Sequence, residues 1–203
     1  MCRGGKEYFR DLEIVRGQLR REISGFLSVA KRCRWGYPQV IKCFPLLGGK
    51  PFPTLYWLTC PFLNKSVGAL ESAGKIEEFQ DVILSDTGLR EALEIAHRCY
   101  ARERFSLLGK GIKDYLRKKL PSYIRVIERS GIGGVSKVDG VKCLHAHLAY
   151  WLVEGKTPIG DLIAKCLTSL ECLDSPKCAM IEFRLQSRYH DKGGKGKDGL
   201  CDH

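Results

Sequence analysis

Between residues 24 and 61 the chain is interrupted every few positions by glycine and proline: Ser24-Gly25, "RWGYP" (34–38), "GGKPFP" (48–53) and Pro61. That punctuation excludes a long helix, because proline lacks the donor a helix interior needs and glycine favours turns. Between the breaks stand "FLSVAKRC" (26–33), "QVIKCFPLL" (39–47) and "TLYWLTC" (54–60), β-branched and aromatic runs of strand length. Three short strands joined by tight turns predict an antiparallel meander, which must bury one face against other elements.

Outside this stretch apolar residues recur at helical spacing. Residues 7–22 place Phe9, Leu12, Val15 and Leu19 on one stripe. Pro61 suits the first position of a helix that runs to Gly74. Helical patterns follow over 76–84 and 86–109, the second with Leu89, Leu93, Ala96 and Tyr100 facing inward, and again on both sides of Pro121. A glycine-rich loop over 131–140 precedes helical stretches at 141–153 and 158–173. The expected fold is α+β, a small antiparallel three-stranded meander packed against several α-helices, in one domain over residues 1–180. Residues 181–203 end in "HDKGGKGKDGLCDH", which buries too little apolar surface to order itself and predicts a basic, disordered tail.

Composition narrows the function classes. No apolar run reaches the roughly 18–20 residues of a membrane span, and the charged start shows no secretory signal, so a cytoplasmic protein with no membrane partner is expected. Ten cysteines are many for such a chain, and there they stay reduced. None is spaced as C-x-x-C, so any metal site has to be assembled from distant segments. The formal charge of +11 favours a polyanionic partner. The glycines of "GIGGVSKVDG" lack phosphate-loop and dinucleotide spacings.

Chemistry concentrates in "VKCLHAHLAYWLVEG" (141–155). At about 100° per residue, Cys143 and His147 share a helical face, whereas His145 points about 160° away from Cys143. Either His147 is the partner of Cys143, or the helix starts after Cys143 and frees His145 to turn toward it. Cys33, Cys60 and Cys143 each fall at the end of an element, where side chains can converge. With His145 or His147 they could close a zinc site, or hold an iron–sulfur cluster, linking the meander to the 141–153 helix. A second possibility is an RNA- or polyanion-binding face built from Lys31, Arg32, Arg34, Trp35, Lys42 and Lys50, independent of metal. A third is a thiol hydrolase with Cys143 or Cys60 as nucleophile and His97, His145 or His147 as base. The bland alternative is that the cysteines are small buried apolar residues.

Three segments together resemble a bacterial family of unknown function, DUF501: "RCRWGYPQV" (32–40), "GGKPFPTLYWLTCPFLNKSVGALESAG" (48–74) and "GVKCLHAHLAYWLVEGKTPIGD" (140–161). The likeness runs from about residue 8 to about residue 170. It implies no activity, since the family has none established. The family pattern does pick out Cys33, Cys60, Cys143 with His145, and His97 in an Ala-His pair. The chain departs from it at Trp35, where many relatives carry a second cysteine.

Overall fold

The computed structural model describes residues 3–155 and 157–193, so Cys2, Cys201 and the last part of the expected tail lie outside the described residues. Helix α1 (Arg3–Leu19) ends at Arg20, whose φ of 54° breaks the helix. Strands β1 (Phe26–Arg32), β2 (Pro38–Cys43) and β5 (Tyr56–Leu58) form the antiparallel sheet in the order β1-β2-β5. Val29 stands opposite Ile41, and Ile41 opposite Trp57.

The expected strand over 39–47 is split. Pro45 has no amide to donate to a ladder, so β2 stops at Cys43. Leu46–Leu47 (β3) then turns through Gly48-Gly49 to pair with Lys50–Pro51 (β4) as a separate small hairpin.

The meander buries both faces rather than one. Side chains alternate along β2 and β5, so Val40, Tyr56 and Leu58 enter the main helical core, while Ile41 and Cys43 meet Val15 of α1 and Phe26. The main core is completed by α2 (Pro61–Ser72), α3 (Lys75–Ser85), α4 (Thr87–Ser106), α7 (Leu144–Glu154) and α8 (Pro158–Cys166). Helix α7 lies at its centre, with Leu144, Ala146, Leu148, Ala149 and Tyr150 all buried. Gly160 lets α8 approach closely, since a Cβ there would stand 2.3 Å from the Trp151 side chain. Helix α6 (Pro121–Arg129) packs on α4, and α5 (Lys110–Lys119) packs on α6. The helix expected over 158–173 ends at Cys166, where Leu167 turns extended (φ −90°, ψ 135°), and beyond it the Ser169 hydroxyl bonds the backbone of Glu171, which offers that stretch an alternative to the helical ladder. The last described helix, α9 (Ala179–Gly193), covers part of the expected tail and joins α1 through the Arg10–Glu182 ion pair at 2.6 Å.

Three residues of α4 hold the region between β4 and α6. The Tyr100 hydroxyl accepts the Leu55 amide at 2.7 Å, and Glu103 accepts both the Tyr56 hydroxyl at 2.6 Å and Lys42 at 2.7 Å. Arg104 is fully buried. Its guanidinium donates to the carbonyls of Pro53 at 2.7 Å and Ile127 at 2.8 Å, and also to those of Val126 and Ser130. Three of these carbonyls end α6, so the cation sits where the helix dipole is negative. Burial pulls the Arg104 pKa down to about 10, which leaves it charged at neutral pH.

Removing that cation would leave four carbonyls facing a cavity. Arg104→Leu is expected to lower stability by about 3–5 kcal/mol or to prevent folding. Arg98→Ala, on the exposed side of the same helix, should change it by less than about 0.5 kcal/mol. Urea unfolding midpoints compare the two.

Candidate metal centre

Cys143 is the residue before α7, with extended backbone (φ −145°, ψ 112°), and makes no cap bond of its own. The cap comes from another helix. Glu71, in the last turn of α2, accepts the Leu144 amide at 2.7 Å through Oε1. A carboxylate at a helix start satisfies an orphan amide and meets the positive end of the dipole. The late start frees His145 to turn toward Cys143, as the second of the two sequence alternatives requires. His145 Nδ1 stands 3.1 Å from the same Oε1, and Nε2 lies 3.2 Å from the Asn64 carbonyl.

Ligand atoms of Glu71, Cys143 and His145 lie within 4.8 Å of one another, the one such trio among the described residues. All three side chains are partly buried, which leaves the site open to solvent on one side. A carbonyl can only accept, so Asn64 fixes the Nε2 proton and leaves Nδ1 as the nitrogen that could ligate a metal. Metal-bound histidines are held in this way. Burial pulls the His145 imidazole down, but Cys143, Glu71 and the Asn64 carbonyl outweigh it and raise the pKa to about 9. Around neutral pH the metal-free site therefore holds a proton on Nδ1 where a metal cation would otherwise sit. Nδ1 is shared between Cys143 and the Glu71 carboxylate, so it is not dedicated to the thiol as the base of a thiol hydrolase would be.

Cys33 and Cys60 do not join this trio. Cys60 caps the start of α2 and Glu71 lies eleven residues on, about 16 Å along the axis. The site thus joins α2 to α7, not the meander to α7 as expected. His147 also stays apart. It is fully buried, its ring nitrogens find no hydrogen-bond partner among the described residues, and its ring centroid is 5.7 Å from that of His97. Burial, with His97 adding, pushes its pKa down to about 3. His97 accepts the Ile132 amide at Nδ1 (3.0 Å), which leaves Nε2 to donate to the Gly140 carbonyl (3.2 Å). It pins the 131–140 loop, and Gly131 leaves it room, since a Cβ there would fall 2.5 Å from Nδ1.

The cations expected to meet a polyanion are largely engaged within the chain. Arg32 pairs with Asp11 at 2.6 Å and Glu7 at 3.1 Å, Arg34 with Glu171 at 3.4 Å, and Lys42 with Glu103. Trp35 donates to the Cys172 carbonyl at 2.9 Å, whereas Lys31 and Lys50 are exposed. No RNA-binding face is supported by this arrangement. Among the described residues no helix is long and apolar enough to cross a membrane.

Sequence inspection missed Glu71. Its one legible sign is an acidic residue in the last turn of a helix, where the dipole disfavours it unless it has another partner. Cys172 and Cys178, which the family pattern does not pick out, lie near Cys33 and Cys60. Burial pushes the Cys60 thiol up, against the pull of the Phe62 and Leu63 amides, and raises Cys178 to about 11. Cys33 and Cys172 contribute to both shifts.

A family model described as "Protein of unknown function (DUF501)" matches residues 29–165. No curated protein and no solved structure matches the chain.

Burial pulls the His97 pKa down to about 4, against smaller opposing effects of Gly140 and Asp139. The unfolded chain takes up a proton below about pH 6.5 that the folded chain refuses until about pH 4. Stability is therefore lost as pH falls through that window, by at most about 1.4 kcal/mol per pH unit for this group. His97 ring resonances should remain those of a neutral imidazole down to about pH 5 in an NMR titration, and His97→Asn should reduce the acid-side loss in urea unfolding.

Proposed function

Because the chain belongs to the DUF501 family of proteins of unknown function, its chemistry has to be sought in the site itself, and we propose that the protein binds one divalent transition metal, of which zinc fits best, through Cys143, His145 and Glu71. The observation that carries this is the convergence of a sulfur, an imidazole nitrogen and a carboxylate oxygen from two helices within 4.8 Å. Sulfur, nitrogen and oxygen donors together suit borderline metals such as zinc, and a hard ion such as magnesium would not select the thiolate. Three protein ligands leave a fourth tetrahedral position, which in zinc enzymes holds the reacting water or substrate. The Asn64 carbonyl orients the imidazole, and the site faces solvent. A bacterial, cytoplasmic setting suits this proposal, since ligand thiolates persist where thiols are kept reduced.

Cobalt is the test metal, since it substitutes for zinc and reports its ligands in the visible spectrum. Titration of the metal-free protein should load tetrahedral cobalt at this site with a sulfur-to-cobalt charge-transfer band. Cys143→Ser should bind one equivalent less and lose the part of the band which that equivalent carries. His145→Ala should weaken affinity by about 10–100-fold or more, and Glu71→Gln, which keeps an oxygen for the Leu144 amide, should do likewise with the fold intact. Cobalt stoichiometry and band intensity unchanged by Cys143→Ser would refute the assignment, as would the absence of any stoichiometric cobalt or zinc.

A further inference from the structure

Four of the remaining cysteines gather around the β1–β2 turn, and each comes from a different segment. Cys33 opens the turn, its carbonyl accepting the Gly36 amide at 2.9 Å and its own amide donating to Tyr37 at 3.0 Å. Its side chain packs with Ile14, Tyr37 and Cys178. Cys60 arrives from β5, its amide directed at the Gln39 carbonyl (3.3 Å) just past the turn. Residues 170–172 are strapped over the same turn by three contacts. Gln39 Nε2 donates to the Leu170 carbonyl at 2.9 Å, the Arg34 amide to Glu171 at 2.9 Å, and Trp35 to the Cys172 carbonyl. Cys178 precedes α9, and Gln18 Nε2 bridges its sulfur at 3.1 Å and the Pro38 carbonyl at 2.8 Å. Lys177, beside it, lies over the Phe62 ring in the first turn of α2 at 5.2 Å, which closes the circuit back to Cys60.

We propose that Cys33, Cys60, Cys172 and Cys178 form a second, all-thiolate metal centre that takes a soft metal, either an iron–sulfur cluster or a zinc ion.

Four thiolates are the complete ligand set for either occupant. Cys60 and Cys178 are buried, and Cys33 and Cys172 half-buried, so the ligands are sheltered while one side stays accessible for loading. Arg32 and Arg34 beside the turn are paired with Asp11 and Glu171, so the donors that reach the sulfurs are the Gln18 amide on Cys178 and the Leu63 and Phe62 amides, in the first turn of α2, on Cys60. Lys177 adds a cation nearby. Simple apolar packing would require none of the donors on the sulfurs. Spacing separates the two occupants. A zinc ion with bonds of about 2.3 Å holds its sulfurs within about 4 Å of one another. No three of these sulfurs lie within 4.8 Å, because Glu71, Cys143 and His145 are the one trio that does so among the described residues. An iron–sulfide core stands between its thiolates and holds them further apart, so sulfurs spread more widely than 4.8 Å suit the cluster better than a lone ion. The centre shares no ligand with the Glu71–Cys143–His145 site and would clamp residues 170–178 and α9 onto the sheet.

The full-length chain, purified without oxygen, is tested as wild type and as Cys143→Ser, so that metal at the other site is counted separately. One arm supplies ferric iron and sulfide with excess thiol reductant, which sets the mixed ferric and ferrous state of the cluster, and the other zinc alone. The expected result is stoichiometric iron and acid-labile sulfide, with a broad visible band bleached by dithionite, retained in Cys143→Ser and lost in Cys60→Ser/Cys178→Ser. Zinc retained by Cys143→Ser and lost in the double variant, with no iron or sulfide held, identifies the same centre as a zinc site. Should the double variant misfold, alkylation of loaded wild-type protein read by mass spectrometry still decides. Cys33, Cys60, Cys172 and Cys178 should be protected together, while the exposed Cys99 and Cys166 react. Metal content unchanged by the double variant, no metal held by Cys143→Ser in either arm, or alkylation of the four at the rate of Cys99 would overturn the proposal.

Discussion

A charged guanidinium sealed inside the protein, with backbone carbonyls for partners, is the constraint around which the other elements are arranged. Arg104 cannot shed its proton at neutral pH and is sealed from solvent, so the segments carrying Pro53, Val126, Ile127 and Ser130 must keep their carbonyls aimed at it. One residue of α4 thereby sets where the chain enters β5 and where α6 stops. The glycine-rich loop begins directly after α6, and His97, two turns earlier on α4, receives it through the Ile132 amide and the Gly140 carbonyl. The position of α7 is inherited from that loop. Helix α4 is thus the reference for both the sheet edge and the helix that carries Cys143 and His145.

The trio of Glu71, Cys143 and His145 follows from the way α7 begins. A serine or aspartate at position 143 would cap its own helix and leave Glu71 with no role there. Cysteine is a poor cap, so the Leu144 amide is satisfied from α2, and the carboxylate that satisfies it comes within reach of the imidazole one residue further on. Helix capping and ligand convergence therefore have one geometric cause. His147, two residues along the same helix, turns into the core instead and meets His97.

Much of the architecture was legible because its signals are local. Gly25, Gly36 and the Gly48-Gly49 pair mark turns, and Pro61, Pro121 and Pro158 each stand at a helix start, where proline's missing amide costs nothing. The site was legible only in part. Cys143 with His145 could be read as one of two alternatives once a late helix start was allowed, whereas Glu71 lies more than seventy residues away and only the packing of α2 against α7 brings it near. The error over Cys33 and Cys60 has the same origin. Both lie at element ends, but which ends meet is decided by helix lengths, and three turns of α2 separate Cys60 from the trio. Cys172 was read into a helix that ends at Cys166.

The shared oxygen of Glu71 also makes the centre a reporter on the core. Oε1 receives both the Leu144 amide and the His145 imidazole. A cation that displaces the imidazole proton competes for that same oxygen, so the carboxylate must either rotate to offer its second oxygen or release the amide. Metal binding there would thereby be felt in the first turn of α7 and wherever α7 packs: at β5, at α8 and at the loop that His97 pins. Filling the centre and tightening the middle of the protein would be two faces of one equilibrium.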